Sequence, residues 1–283
     1  MSKKVFLKGT LILACTGLVS RIAGFFYRIF LSHAIGAEGL GLYQLILPLQ
    51  GLMAALSYTG IQSALSRLIA SRLALQEKKE AYFSLVTGIF AAVFFSAVTG
   101  FLLFRHADFF ASTILKAPGT SDLLRLTAAS IPLCAIHSCI DSYYYARKKA
   151  SVPAAVQLSE QTVRIGATYI LYLIFLSEGR PVTAMIAAGG SLAGEAAASL
   201  ISLLMVSFHF GNHPVKEKTS VKIFPLIKDL FTLSFPISLN RILLTLLGSI
   251  EAVLIPQMLI RCGMTSSEAL KIYGIFTLSL IHI

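Results

Sequence analysis

Residues 6–33 read FLKGTLILACTGLVSRIAGFFYRIFLSH. The run is long and apolar enough to cross a bilayer as a helix, yet it carries two arginines where a span usually carries none. Along a helix, Gly17, Arg21, Gly24 and Arg28 fall at i, i+4, i+7 and i+11, so they share one face. A guanidinium near the bilayer centre costs at least about 2.5–3.5 kcal/mol, and such residues face a bundle interior or a watery cavity. The competing reading is that the arginines snorkel to the membrane surfaces, which is easier for Arg28 than for Arg21. The stripe points to a functional cavity.

The rest of the chain has the same character. Of 283 residues, 56% are hydrophobic and 13% charged, about half the charge of a soluble domain. Apolar runs recur, at about 6–33, 41–66, 82–104, 123–145, 154–176, 183–208 and 232–259, with another beginning near Ser267. The expected class is an all-α polytopic membrane protein of seven full spans and part of an eighth. The first run is too long for a signal peptide and is followed by further spans, so it reads as a retained helix. With the N-terminus inside, inner segments hold fourteen Lys/Arg and outer loops five. That bias predicts a cytoplasmic N-terminus in the cell membrane. The net charge of +11 is explained by those loops and their anionic lipid partners, not by nucleic acid.

Connections are short. Ile35–Gly41 predicts a tight turn between antiparallel spans, and Ser66–Lys79 a basic helix along the membrane surface. Residues 209–231 form the longest inner linker. The expected division is a six-helix lobe at 1–208, a cytoplasmic linker at 209–231, and the start of a second lobe at 232–283.

Polar residues inside the spans are the candidate site. Gln157, Glu160, Gln161, Arg164 and Thr168 share a stripe on span five. Glu160 and Arg164 read either as an internal ion pair that helps the helix enter the bilayer or as a polar cavity wall. Glu195, near the middle of span six, needs a proton or a cation from another helix. A span-one arginine is the expected partner, and proton or cation coupling is a possible role. Span seven adds Asn240, Arg241, Thr245 and Glu251, the last a second candidate for ion coupling. Asp141 precedes Tyr143, Tyr144 and Tyr145, which read as an interfacial aromatic belt or as contacts to a lipid headgroup. Cys15, Cys134, Cys139 and Cys262 lack metal or redox spacing. No nucleotide loop, HExxH or extramembrane acidic pair occurs, so no catalytic residue, metal or cofactor is expected and the chain does not read as an enzyme.

Several blocks carry a resemblance: Lys8–Leu13, Gly17–Arg28, Gly36–Tyr43, Leu158–Arg164 after Pro153, and Phe235–Arg241. Together they resemble polysaccharide-biosynthesis transporters of the stage V sporulation protein B type, in the multidrug/oligosaccharidyl-lipid/polysaccharide (MOP, MATE-like) exporter superfamily. The resemblance implies two six-helix lobes around a cavity open alternately to each side. It also implies a flippase moving undecaprenyl-pyrophosphate-linked glycans, lipid II or a related cell-wall precursor among them, coupled to protons, sodium or the membrane potential. Guanidinium forks suit that pyrophosphate. Arg21 matches the first cavity arginine of related lipid II flippases. The second falls on Tyr27, which turns Arg28 about 100° away from the family position. The chain is expected to stop within span eight of a longer protein. Residues 278–283 read as the translation of CTG TCT CTT ATA CAC ATC, a transposase mosaic-end adapter, and are expected to be foreign. Other readings are a multidrug/cation antiporter, which would predict an acidic cavity, a polyprenyl-sugar transferase, and a non-transporting scaffold of a wall-synthesis complex.

Overall fold

The computed structural model describes residues 3–212 and 223–279. The expectations for residues 213–222 of the linker and for 280–283 lie outside the described residues. Every regular element described is helical: α1 (Lys3–Ser57), α2 (Thr59–Ala74), α3 (Lys78–Arg105), α4 (Ala107–Phe109), α5 (Ser121–Ala146), α6 (Ser151–Ser177), α7 (Met185–Asn212), α8 (Ile223–Arg261) and α9 (Ser266–Ser279). A π turn at Phe110–Ile114 and a 3-10 turn at Pro118–Thr120 complete the α4–α5 connection.

The α1 element is two helical arms meeting at Gly36, whose φ of 72° and ψ of 172° break the helix. That backbone region is open in practice only to glycine, which explains why the turn sits at this residue. Tyr27 and Leu31 of the first arm pack in one cluster with Leu40 and Tyr43 of the second. Spans one and two are therefore these two arms, with the second continuing past a break at Tyr58 into α2.

The basic stretch after Ser66 continues as helix to Ala74, the C-terminal part of α2, with one face packed on the bundle. Ile61, Leu65, Leu68 and Ile69 of α2 are buried against α3, α5 and α8. Their spacing of i, i+4, i+7 and i+8 makes an inward stripe, leaving Arg67 and Arg72 at the edge. The tyrosine run also differs from a belt. Tyr143 and Tyr144 are buried and pack with His209 and Phe210 of α7, and only Tyr145 is exposed. A helix turns successive residues by about 100°, so three tyrosines in a row cannot all face the same interface.

Five segments are long and apolar enough to cross a membrane: Gly9–Ser57, Lys78–Arg105, Pro118–Ala146, Met185–Asn212 and Ile223–Arg261. Their outward faces carry large apolar side chains such as Phe90, Phe101 and Leu247, as a bundle solvated by lipid requires. The 27-residue α6 has span length but not the same hydropathy, because its polar stripe lowers the average. Small residues bring α6 and α7 together. A Cβ on Gly190 would meet the Thr168 hydroxyl and would stand 2.8 Å from the Arg164 carbonyl, and one on Gly194 would stand 3.0 Å from the Glu160 carbonyl. Without a hydrophobic drive between helices in lipid, such close backbone approach is what holds the pair.

Candidate functional site

The first arm of α1 and the polar stripe of α6 face each other across a cavity of about 860 Å³. Gly17, Arg21, Gly24 and Arg28 line one side, Gln157, Gln161 and Arg164 the other, and Tyr43 and Leu47 of the second arm the back. The structure thus places the whole predicted span-one stripe on a single cavity. Arg28 lines it despite the one-residue offset, and so does Tyr27, because neighbours on a helix can both border a wide opening. Arg21 is exposed and Arg28 half-buried.

Tyr27 is buried and bonded to Thr168 of α6 at 3.0 Å. Thr168 donates in turn to the Arg164 carbonyl at 2.8 Å, so the tyrosine is the donor and the threonine oxygen accepts. This chain fixes the first arm against the turn of α6 that carries Arg164. On the far side, Tyr43 and Ser191 pair their hydroxyls at 3.0 Å and tie the second arm to α7.

Behind Arg164 lies a buried network. Its guanidinium is ion-paired to Glu160 on the same helix and approaches Glu195 Oε1 of α7 at 3.5 Å. The other Glu195 oxygen meets His137 Nε2 of α5 at 2.9 Å. The opposite ring nitrogen, Nδ1, faces Asp141 Oδ2 at 3.8 Å. Glu195 therefore has partners, but they are His137 and Arg164 and not an arginine of span one. The physical reason is that α7 packs chiefly on α5 and α6 and touches α1 only slightly. Sequence reading passed over His137, although His137 and Asp141 at i, i+4 on an apolar span were the available signal.

Arg241 and Glu251 do not join this site. Both are exposed on α8, which packs across the second arm of α1 and α2. Thr245 of α8 sits over Gly51, and Ser249 donates to the Pro48 carbonyl at 2.9 Å. That contact seats α8 against the second arm of α1, and neither Arg241 nor Glu251 lines the cavity.

A helical bundle with lipid-facing apolar surfaces and a cavity lined by guanidinium groups defines a polytopic membrane protein with a cation-lined cavity. The chain belongs to the polysaccharide biosynthesis protein family, whose sequence profile matches residues 6–277. It is 32% identical to stage V sporulation protein B of Bacillus subtilis, over 98% of this chain and 54% of that protein. It is 24% identical to the lipid II flippase MurJ of the same organism, over 62% of this chain and 34% of that one. A MOP superfamily transporter from Pyrococcus furiosus has the same fold, with a TM-score of 0.62 at 15% identity, over 96% of this chain and 61% of that structure. The chain thus spans about half the length of the curated relatives it matches.

Proposed function

We propose that this chain supplies the cation-lined half of a flippase for polyprenyl-pyrophosphate-linked glycans, lipid II or a related envelope precursor. One observation carries the reading: Arg21, Arg28 and Arg164 converge on a cavity of about 860 Å³ from two helices. That volume lies within the range of ligand sites, about 300–1,000 Å³. Three guanidinium forks suit a pyrophosphate, whose oxygens accept bidentate bonds. Gln157 and Gln161 add neutral donors and acceptors beside the charge, as a sugar next to a pyrophosphate would require. The likeness to stage V sporulation protein B and to a lipid II flippase supports the same cargo class. A multidrug/cation antiporter would need acidic groups facing the cavity, whereas here Glu160 and Glu195 are turned behind Arg164.

In this reading residues 1–208 are one lobe, the N-terminus is cytoplasmic, and the second lobe closes the cavity as the transporter alternates between sides. Arg21 and Arg28 hold the anion directly, and Arg164 does so while anchored by Glu160. The test is growth rescue by the full-length gene product in cells depleted of their lipid II flippase. Rescue lost in Arg21→Ala at unchanged protein level supports the reading. Full rescue by Arg21→Ala removes the arginine from the mechanism.

A further inference from the structure

The buried network behind the cavity contains a set of donors that anion binding does not use. Cys134 and His137 lie at i, i+3 on one face of α5, and Glu195 projects from α7 towards both. One ligand atom from each lies within 4.8 Å of the other two, with His137 Nε2 and Glu195 Oε2 at 2.9 Å. Thiolate, imidazole and carboxylate are the three donor types that a tetrahedral zinc-class dication takes, with bonds of about 2.0–2.3 Å. Ligand atoms in such a site stand roughly 3–4 Å apart, so the observed set needs only small side-chain adjustments.

Two further observations point to a bound cation. Among the described residues the network holds three carboxylates, Glu160, Glu195 and Asp141, against the Arg164 guanidinium and the His137 imidazole, so that even a protonated imidazole leaves one negative charge over. A charge deficit in a low-dielectric interior is costly until a cation supplies it. In addition, His137 Nδ1 and Asp141 Oδ1 are both buried without a hydrogen-bond partner among the described residues. Asp141 stands where the carboxylate of a carboxylate–histidine–metal relay belongs, behind the nitrogen opposite the metal.

We infer that Cys134, His137 and Glu195 form a binding site for a zinc-class divalent cation between α5 and α7, oriented from behind by Asp141. Binding releases the Cys134 thiol proton to solvent, and the thiolate and the Glu195 carboxylate together balance the two charges of the ion. The fourth position is left for water. The ion staples α5 to α7 and draws Glu195 away from Arg164, which leaves that guanidinium freer for the cavity. The site stands independently of the flippase reading, since its test needs no transport.

The experiment uses the purified protein in detergent, carrying a histidine-free affinity tag, with Zn2+ and Co2+ as probes. The expected result is one Zn2+ retained per chain after desalting. With Co2+, a thiolate-to-metal charge-transfer band and tetrahedral visible bands should appear and be displaced by Zn2+. Cys134→Ser should abolish the charge-transfer band, while Cys139→Ser, on another face of α5 towards Gly88, should leave it. Asp141→Asn should weaken Zn2+ binding about 10–100-fold, the usual effect of removing such an outer partner. Circular dichroism and gel filtration check that each variant is folded. Absence of a charge-transfer band in the parent protein overturns the site, as does a band that survives in folded Cys134→Ser.

Discussion

Arg164 and Arg21 line the same cavity, yet the structure assigns them opposite weights in stability. Arg164 is 23% exposed, and its partners Glu160 and Glu195 are 16% and 10% exposed. Removing one member of a buried pair costs about 3–5 kcal/mol, because the remaining charge is left uncompensated. The guanidinium also borders a polar cavity that screens part of this, so Arg164→Gln should lose about 3 kcal/mol, the lower end of that range. For a chain of this size each kcal/mol moves Tm by about 2–4 °C, giving a drop of about 6–12 °C. Arg21 is exposed, and no hydrogen bond or ion pair holds it among the described residues. Arg21→Gln should therefore stay within about 0.5 kcal/mol of the parent. The chain has no tryptophan, so far-ultraviolet circular dichroism in detergent is the suitable thermal assay. The double variant Glu160→Gln/Arg164→Gln removes the stranded carboxylate and leaves Glu195 to His137. It should recover more than half of the loss, a coupling that additive sites cannot show. If Arg164→Gln melts with Arg21→Gln, or the double variant is no better than the single, the buried-pair argument fails.

Three other perturbations test the geometry. Gly36→Ala forces a side chain onto a φ of 72° and ψ of 172° and should cost about 1–3 kcal/mol, read as a lower melting temperature. Gly190→Val places its branch against Thr168 and the Arg164 carbonyl. It should lose about 1–3 kcal/mol by overpacking and impair rescue at equal protein level, since it moves the turn that carries Arg164. Tyr27→Phe deletes the donor to Thr168 and should cost about 0.5–1.5 kcal/mol, while Thr168 keeps its own bond to the helix carbonyl. An unchanged melting curve for Tyr27→Phe would mean that the first arm is not anchored through this hydroxyl.

What could be read from sequence depended on how many helices a feature spans. The stripe Gly17, Arg21, Gly24 and Arg28 lies on one helix, so its 3.6-residue period already groups those residues, and the structure places all four on one cavity. The Glu160–Arg164 pair was legible for the same reason. The partner of Glu195 was not, because it depends on which face of α5 meets which face of α7. The small residues that bring helices close, such as Gly190 and Gly194, announce proximity without naming the neighbour. The same limit hid the metal-ligand set. Cys134 and His137 are separated by two residues on an apolar helix, and their third partner stands 58 positions from His137 on another. Arg241 and Glu251 mark the other limit: charges on a span suggested a shared cavity, whereas α8 leaves both exposed and outside the lining that α1 and α6 form.

Among the described residues, the one helix of span length with a low average hydropathy, α6, is also the one that faces α1 across the cavity. On α6, Gln157, Gln161 and Arg164 line the opening, Glu160 pairs with Arg164 beside them, and Thr168 closes the bond chain to Tyr27. Its outer face still presents apolar side chains such as Ile170 and Leu173 to lipid. Low average hydropathy here is thus the sum of an ordinary lipid face and a strongly polar inner face. The polar face is tolerable because its charges are neutralised within the bundle: the Arg164 guanidinium by Glu160 on the next turn and by Glu195 across the interface. Neutralisation also explains why Arg164 does not reach freely into the cavity as Arg21 does. In the proposed role, an anion entering the cavity meets the guanidinium groups of Arg21 and Arg28 and competes with two carboxylates for that of Arg164. Affinity at Arg164 is therefore set by the network behind it, and variants at Glu160 or Glu195 should alter anion binding without touching the cavity lining.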